Sequence, residues 1–202
     1  MPGHFQLETM ADAMILHLVS SDGTNRLTRA CVLALSEAVL NLSREPRPLV
    51  ITGNSKFFSA GADLAEIASL TGTTALEFSK LGQHLMNMVA AFPAPVYAAI
   101  EGYCMGGGLD LALACHWRLA SPQAIFGHRG AALGLITGWG GTQRLPRLVG
   151  KGRALQMFLA AEKVHAAEAL RIGLINAVGA DPVAEALRRA RSSALSTQPM
   201  GT

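Results

Sequence analysis

The hydrophobic positions of the chain form two recurring patterns, short uninterrupted runs and longer amphipathic segments. The runs PLVITG and PVYAAIEG, residues 48–53 and 95–102, are typical of strands buried on both faces of a sheet. Residues 30–44 space their apolar positions at helical intervals, and Thr28 is placed to cap that helix. Each run leads into a loop of small residues and then a helix. This order predicts an α/β fold in which crossover helices join parallel strands.

The remaining segments continue the alternation of strands and helices. Residues 4–8 and 12–19 alternate partly between apolar and polar positions, which predicts a hairpin of strands. A helix is predicted from Thr73 or Thr74 to about Ala91. The other predicted elements are a helix beginning near Asp63, strands within 117–122 and 123–129, two helices within 138–162 separated by Gly150, a helix ended by Gly173 and followed by a strand, and a last helix from Asp181.

The length of 202 residues fits one domain with a sizeable core, so we assign residues 1–202 to a single domain. The polar residues from about 193 to 202 predict a disordered tail. Half of the residues are hydrophobic and 15% are charged, a surplus of apolar surface that favours an oligomer. Because no run approaches the ~18 apolar residues of a membrane span and the N-terminus lacks a signal-peptide pattern, we expect no membrane span and a cytoplasmic location.

Charge and cysteine content argue against several kinds of site. The net charge of +3 comes largely from two arginine-rich segments without interleaved aromatic residues, which argues against nucleic acid as a partner. The three cysteines, Cys31, Cys104 and Cys115, are unevenly spaced and form no CxxC pair, so neither a disulfide framework nor a thiolate metal site is expected. No ligand cluster for a metal and no GxGxxG spacing for a nicotinamide cofactor is present in the sequence.

The most informative segment is EGYCMGGGLDLALACHW, residues 101–117. Gly106–Gly108 allow close approach of a ligand to bare amide groups, and the apolar residues behind them predict a short buried helix. The first amides of a helix lack internal partners and attract an anionic or carbonyl oxygen. Asp110 is the only charged residue in the first turn. On these residues alone, a tight turn beside a first-turn carboxylate explains the motif at least as well as a binding site does.

Four segments together resemble the crotonase superfamily, the enoyl-CoA hydratase/isomerase fold. They are KFFSAGADL, AIEGYCMGGGLDLALACHWRLAS, IFGHRGAALGLITGWGGTQRLPRLVGKGRAL and AAEALRIGLIN, in the order in which the family has them. The resemblance implies an α/β spiral of ββα units, assembled as homotrimers or dimers of trimers. It also implies an acyl-CoA thioester as substrate, with coenzyme A as part of that substrate and no separate cofactor. Compared with such relatives, the chain is expected to have a shortened or missing C-terminal helical segment.

The resemblance also assigns residues to the site. Two backbone amides would stabilise the thioester oxygen as it becomes an enolate, and matching the motifs places these donors at Ala60 and Gly107. Coenzyme A contacts are implied at Lys56, Phe57, Ala60, Ala62, Asp63 and Leu64.

The acid and base positions decide which reaction is expected. Typical hydratases have glutamates at two positions, which align with Asp110 and Gly130 of this chain. Because hydration needs one group to activate water and one to protonate the enolate carbon, the absence of a carboxylate at Gly130 puts hydratase activity in question. His128 is the best substitute, although a polar residue at the end of a strand is an equally good interpretation of it. Three functions stay open: a hydratase or isomerase, a catalytically weak or silent acyl-CoA binder, and a CoA thioesterase or decarboxylase that uses His128.

Overall fold

A computed structural model describes residues 3–196 of the chain, and their side chains as far as residue 192. The strands are β1 (Phe5–Thr9), β2 (Met14–Leu18), β3 (Arg26–Leu27), β4 (Leu49–Thr52), β5 (Phe57–Ser59), β6 (Gly61–Ala62), β7 (Val96–Ile100), β8 (Tyr103–Met105), β9 (Trp117–Ala120), β10 (Ile125–Gly127), β11 (Val164–His165) and β12 (Ala177–Val178). The helices are α1 (Arg29–Leu42), α2 (Leu64–Ala68), α3 (Gly72–Ala90), α4 (Gly107–Ala114), α5 (Gly141–Val149), α6 (Lys151–Leu159), α7 (Ala166–Arg171) and α8 (Pro182–Ser196).

The centre of the fold is a six-stranded sheet with the order β1-β2-β4-β7-β9-β12. The hairpin β1–β2 is antiparallel, and every other neighbouring pair is parallel. Both predicted buried runs lie in this sheet, where all residues of β4 and β7 are buried. The predicted α/β architecture with parallel central strands is therefore observed.

Two smaller sheets lie beside the central one, and the sequence predicted them only in part. One has the order β11-β10-β8-β5, and the other consists of β3 and β6. Of these strands, β5, β6 and β8 fall in segments predicted as loops. Each is only two or three residues long and is stabilised by pairing with a distant strand, as in the parallel pair of β5 with β8. Such short strands have no alternating pattern that a sequence can reveal.

Side-chain caps explain where the helices begin. The Thr28 hydroxyl accepts a hydrogen bond from the Cys31 amide at 3.1 Å, as predicted for α1. Helix α3 begins at Gly72, earlier than predicted, because Thr71 is its cap and forms a reciprocal capping box with Thr74. Gly150 separates α5 from α6 as predicted, and its φ of +79° lies in a region that favours glycine.

Helices cover both faces of the central sheet. Helix α8 covers one face, where Ala186 and Ala190 join a buried cluster with Val50, Tyr97 and Leu119. The larger core lies on the other face, among α1, α3 and α4. In α4 every residue is buried, which agrees with its apolar composition on all sides. The sheet thereby fixes a buried helix whose N-terminus opens toward a cavity.

The predicted disordered tail needs a partial correction. Residues 193–196 continue helix α8, whereas 197–202 lie outside the described residues. Within residues 3–196, no helix combines the length and apolar character needed to cross a membrane.

Candidate active site

A cavity of about 540 Å³ lies between the start of α4, the segment from β6 to α3, and the loop that precedes α5. Most of the residues predicted from the sequence line it together. They are Phe57, Ala60, Ala62, Leu64, Gly107, Asp110, His128 and Gly130. The rest of its wall is largely apolar, with side chains such as Ile67, Phe78, Leu135 and Trp139. The segments that the sequence singled out as one site therefore do meet in space.

Two predicted coenzyme A contacts, Lys56 and Asp63, are not part of the cavity wall. The Asp63 carboxylate caps α2, accepting hydrogen bonds from the Ala65 and Glu66 amides at 2.9 and 3.0 Å. Lys56 is exposed, and its carbonyl accepts the Tyr103 amide at 2.8 Å. Asp63 thus has a structural role in the described fold, and the coenzyme A contacts of both residues stay predictions.

The first turn of α4 forms one side of the cavity. Gly106 has a φ of +51°, and its amide donates to the Gly127 carbonyl at 2.9 Å. The helix begins at Gly107 without a side-chain cap. Because the first amides of a helix have no acceptor within it, this end presents donors and the positive end of the helix dipole to the cavity.

Residues 60–62 pack directly against this turn, but Ala60 does not have the predicted role. The Ala60 amide donates to the Thr24 carbonyl at 2.9 Å and the Gly61 amide to the Ser59 hydroxyl at 3.1 Å. The structure therefore does not support Ala60 as a donor to a ligand, since its amide is engaged within the fold. The Ala62 amide nitrogen adjoins the start of α4, because a Cβ added to Gly107 would lie 3.2 Å from it.

The Asp110 carboxyl is 1% exposed and lies at the junction of α4 and α5. Burial raises the pKa of Asp110 to about 7, against the opposing effects of the Thr137 hydroxyl, of Arg144 and of the Gly141 and Trp139 amides. The Thr137 hydroxyl donates to Oδ2 of Asp110. At neutral pH the carboxyl group is therefore present in both protonation states, which suits a group that accepts and returns a proton.

His128 lies beside Asp110 and does not touch solvent. The residue is 3% exposed, and its Nε2 atom lies 3.4 Å from Oδ1 of Asp110. Burial lowers the pKa of His128 to about 4, so the imidazole is neutral at neutral pH. Neither Nε2 nor Oδ1 has a hydrogen-bond partner within the described residues. The two groups therefore face each other across 3.4 Å without a hydrogen bond between them.

Gly130 begins a 3₁₀ turn, Gly130–Leu133, and has no room for a side chain. The Leu135 amide donates to the Gly130 carbonyl at 2.8 Å and closes the turn. A Cβ at position 130 would lie 2.7 Å from the Leu135 carbonyl oxygen, closer than real Cβ contacts come. The cavity thus has Asp110 as its only carboxylate among the lining residues.

Thr137, which contacts Asp110 across 27 positions of the chain, is not among the residues predicted from the sequence. A threonine in a loop carries no signal of such a contact, since the contact depends on how the loop folds back over α4. Trp139 and Tyr103 also line the cavity. From the sequence, Trp139 is expected either to line the acyl pocket or to pack its own loop, whereas Tyr103 carries no such signal.

The chain matches known proteins over most of its length. A family profile described as Enoyl-CoA hydratase/isomerase matches residues 10–199. Over 175 residues the chain is 41% identical to the crotonyl-CoA hydratase of Syntrophomonas wolfei subsp. wolfei, covering 85% of the chain and 67% of the relative. Over 149 residues it is 44% identical to a probable enoyl-CoA hydratase of Bacillus subtilis, covering 73% and 57%. The alignments therefore span between little more than half and two thirds of these relatives.

Solved structures agree with this assignment. Pseudomonas aeruginosa DspI superposes with a TM-score of 0.90 at 37% identity, over 95% of this chain and 74% of that one. An enoyl-CoA hydratase from Bacillus anthracis superposes with a TM-score of 0.85 at 32% identity, over 96% and 76%. The predicted crotonase-like fold is confirmed, and the chain belongs to the enoyl-CoA hydratase/isomerase family of the crotonase superfamily.

Proposed function

We propose that the protein acts on acyl-CoA thioesters through an enolate held by two backbone amides, as an enzyme of the hydratase or isomerase type. One observation carries this proposal. The buried Asp110 carboxyl, with its pKa raised to about 7, lines the same cavity as the uncapped N-terminus of α4. The names of the relatives, crotonyl-CoA hydratase and enoyl-CoA hydratase, agree with an acyl-CoA substrate.

The amides of Gly107 and Ala62 are the proposed oxyanion donors. Gly107 is the first residue of α4, where the amide needs an acceptor from outside the helix. Ala62 replaces the predicted Ala60, because the Ala60 amide is taken by Thr24. The φ of +94° at Gly61 interrupts the regular alternation of amide directions between residues 60 and 62. Each preorganised donor of this kind is worth about 3 kcal/mol in the transition state.

Asp110 is the proposed proton carrier. Oδ2 of Asp110 accepts a hydrogen bond from the Thr137 hydroxyl, which leaves Oδ1 as the oxygen that binds and releases the proton. Neutral His128 faces Oδ1 and accepts a hydrogen bond when Asp110 is protonated. Asp110 is then the catalytic group, and His128 orients its proton.

The single carboxylate favours proton transfer within the acyl chain over hydration. In isomerisation, Asp110 takes a proton from one carbon, the electron pair moves toward the thioester to give the enolate, and the proton returns to another carbon. No water is consumed, and one group suffices. Hydration additionally requires a group to activate water, and in this cavity only His128 is placed to assist, with a pKa lowered to about 4 by burial.

Three further expectations belong to this proposal. Phe57, Ala62 and Leu64 line the cavity and are available to the coenzyme A part of the substrate. Assembly as a trimer or dimer of trimers agrees with exposed leucines such as Leu155 and Leu159, which are 57% and 69% exposed. A cytoplasmic location stays a prediction.

Liquid chromatography coupled to mass spectrometry tests the proposal, because retention time separates double-bond isomers of equal mass and the mass reveals hydration. Purified protein is incubated with short, medium and aromatic enoyl-CoA esters and with their β,γ-isomers. The expected result is a shifted double bond or a hydrated product, formed by the wild type and lost in Asp110→Asn. The absence of any turnover that depends on Asp110 would overturn the enzymatic proposal.

A catalytically silent acyl-CoA binder is the second candidate, and one observation favours it. Asp110 already accepts a hydrogen bond from Thr137 and lies at the N-terminus of α5, so its charge also serves the fold. Tight binding of acyl-CoA in calorimetry without turnover would identify this function. Release of free acid or CO₂ in the product assay would instead identify a thioesterase or decarboxylase that uses His128.

A further inference from the structure

The side chain of Trp139 occupies a slot that two glycines create. A Cβ at Gly82, in the middle of α3, would overlap the five-membered ring of the indole. A Cβ at Gly107 would lie 2.6 Å from Cζ3, on the six-membered ring. The indole is 3% exposed and therefore fills the space between α3 and α4.

Gly82 lowers the stability of helix α3, and the contact with Trp139 explains why a glycine is present there. A glycine inside a helix is about 1 kcal/mol less favourable than alanine. Gly82 is buried in α3, and the indole ring that lies against it leaves no room for a methyl group. Only a glycine at position 82 therefore leaves room for the indole of Trp139 in this position.

Further contacts fix the orientation of the indole. Its Nε1 atom donates to the Phe78 carbonyl at 3.2 Å, and the two rings lie 5.2 Å apart with an interplanar angle of 50°. With glycine backbones on two sides and a hydrogen bond on its polar edge, the ring has little freedom to move aside. Trp139 and Phe78 both line the cavity, so this rigid pair forms part of its wall.

We propose that Trp139 is a specificity-determining residue that limits the width of the cavity beside the thioester and selects unbranched acyl groups. This inference rests on the proposed function, because it takes the Gly107 amide as the point that binds the thioester oxygen. The six-membered ring of Trp139 lies against Gly107, so substituents on the acyl carbons next to the thioester meet an aromatic wall that cannot yield. Methyl branches and aryl groups at those carbons therefore weaken binding, whereas a straight chain passes along the wall.

The test measures binding rather than turnover, so that it does not depend on activity. Calorimetry compares butyryl-CoA, its 2-methyl-branched analogue and 3-phenylpropionyl-CoA, all saturated and unreactive toward isomerisation or hydration. The variants are Trp139→Leu, Trp139→Phe, Gly82→Ala and the double variant Gly82→Ala/Trp139→Leu. Gly72→Ala is the matched control, because it lies in the same helix and an added Cβ meets nothing within 4 Å.

The wild type is expected to bind the straight chain at least about tenfold more tightly than the branched one, within the range known for a single methylene or methyl group in an apolar pocket. Trp139→Leu is expected to reduce this ratio to within about twofold, and Trp139→Phe to give an intermediate ratio. Gly82→Ala is expected to displace the indole and weaken binding of all three ligands. In the Trp139→Leu background the same methyl group meets no indole, so it should change binding by less than about twofold.

The outcomes separate the inference from the proposed function. Binding of butyryl-CoA with an unchanged straight-to-branched ratio in Trp139→Leu would overturn the inference and leave the proposed function intact. If the wild type binds none of the three esters, the proposed function fails and the inference fails with it. Should Gly82→Ala not fold, the ratios of the two Trp139 variants still decide the question.

Discussion

The two ends of helix α4 are built in opposite ways. At its C-terminal end, the guanidinium of Arg118 donates to the Cys115 carbonyl at 2.7 Å through Nη1 and to the Leu174 carbonyl at 2.8 Å through Nε. His116 accepts the Val96 amide at 2.8 Å through Nδ1. At the N-terminal end no side chain caps Gly107, and Oδ1 of Asp110 has no partner among the described residues.

The C-terminal end of α4 is thus held by the fold itself, whereas its N-terminal end is available to a ligand. Arg118 is only 5% exposed, yet its charge is matched by the Cys115 carbonyl at the negative end of the α4 dipole and by the Leu174 carbonyl of the segment after α7. Asp110 is buried more deeply and remains incompletely satisfied. Buried polar groups without partners are rare in folded proteins and need an explanation. The proposed function supplies one, since it places a ligand oxygen and a transferable proton at the N-terminal end of α4.

The largest effect is expected from Asp110→Asn, which removes the proposed proton carrier at the N-terminal end of α4 while keeping the shape of the side chain. We expect kcat to fall by about 10²–10⁴-fold, the usual contribution of a general acid–base group. The rate of product formation from the best substrate of the mass spectrometric screen measures it. Asp12→Asn serves as the control, because Asp12 is exposed and, within residues 3–192, its one ion pair is with Arg191. Equal rates in wild type and Asp110→Asn would contradict the assignment.

The same substitution is expected to change how stability depends on pH. The pKa of Asp110 is raised to about 7 from 3.8, so between these values the folded state binds more protons than the unfolded one and stability falls as pH rises. His128, with its pKa lowered to about 4 from 6.5, acts in the opposite direction between these values.

Asp110→Asn removes the contribution of Asp110 to this pH dependence and leaves His128 in place. The variant should therefore gain stability relative to the wild type as pH rises from about 4 to 7. Thermal unfolding at pH 5 and pH 8 measures this gain. A difference in Tm that is identical at both pH values would show that Asp110 does not have a raised pKa in the folded state.

Gly107→Ala is expected to block the N-terminal end of α4, where the ligand oxygen is proposed to bind. The new Cβ would lie 2.6 Å from Trp139 Cζ3 and 3.2 Å from the Ala62 nitrogen, so the proposed donor pair must separate. We expect kcat to fall by about 10²-fold, as for loss of one oxyanion donor. Gly152→Ala is the control, since an added Cβ there meets nothing within 4 Å. Normal turnover in Gly107→Ala would exclude this position from the oxyanion site.

Arg118→Met tests the C-terminal end of α4 and should affect stability rather than turnover. The Cys115 and Leu174 carbonyls would lose their donors inside the protein, which is expected to lower the free energy of unfolding by roughly 3 kcal/mol. Urea denaturation measures the loss, and kcat per folded molecule should change less than about twofold. A large loss of kcat with unchanged stability would mean that both ends of α4 serve catalysis.

The smallest effect is expected from Thr137→Val, which removes the hydroxyl that donates to Asp110. Because this hydrogen bond favours the charged carboxylate, its loss raises the pKa of Asp110 further, and the pH profile of kcat should move to higher pH. Thr137→Ser keeps the hydroxyl and should keep the profile. A profile that does not move in Thr137→Val would show that another group sets it.

Much of the fold could be predicted from the sequence because its central elements repeat one pattern. The runs at 48–53 and 95–102 became β4 and β7, and the apolar segment after the glycines became the buried helix α4. Short strands such as β6 escaped prediction, since two residues have no periodicity and depend on a partner far along the chain.

The site was predicted in its members but not in its detailed geometry. Asp110, His128 and Gly107 share one cavity, as the motifs indicated. The donor role predicted for Ala60 is not supported, because its amide donates to the Thr24 carbonyl, a contact with a distant segment that residue type does not reveal. The raised pKa of Asp110 arises from burial, which only the packed structure reveals.

The turn at Gly130 has an evolutionary consequence. The carbonyl oxygen of Leu135 fills the position that a Cβ at residue 130 would need, and the Leu135 amide closes the same turn. A single codon change that introduced glutamate there would meet this backbone before it reached the substrate. Placing a second carboxylate at this position therefore takes at least two steps, with the turn remodelled first, and this order constrains any mutational path to a two-carboxylate site.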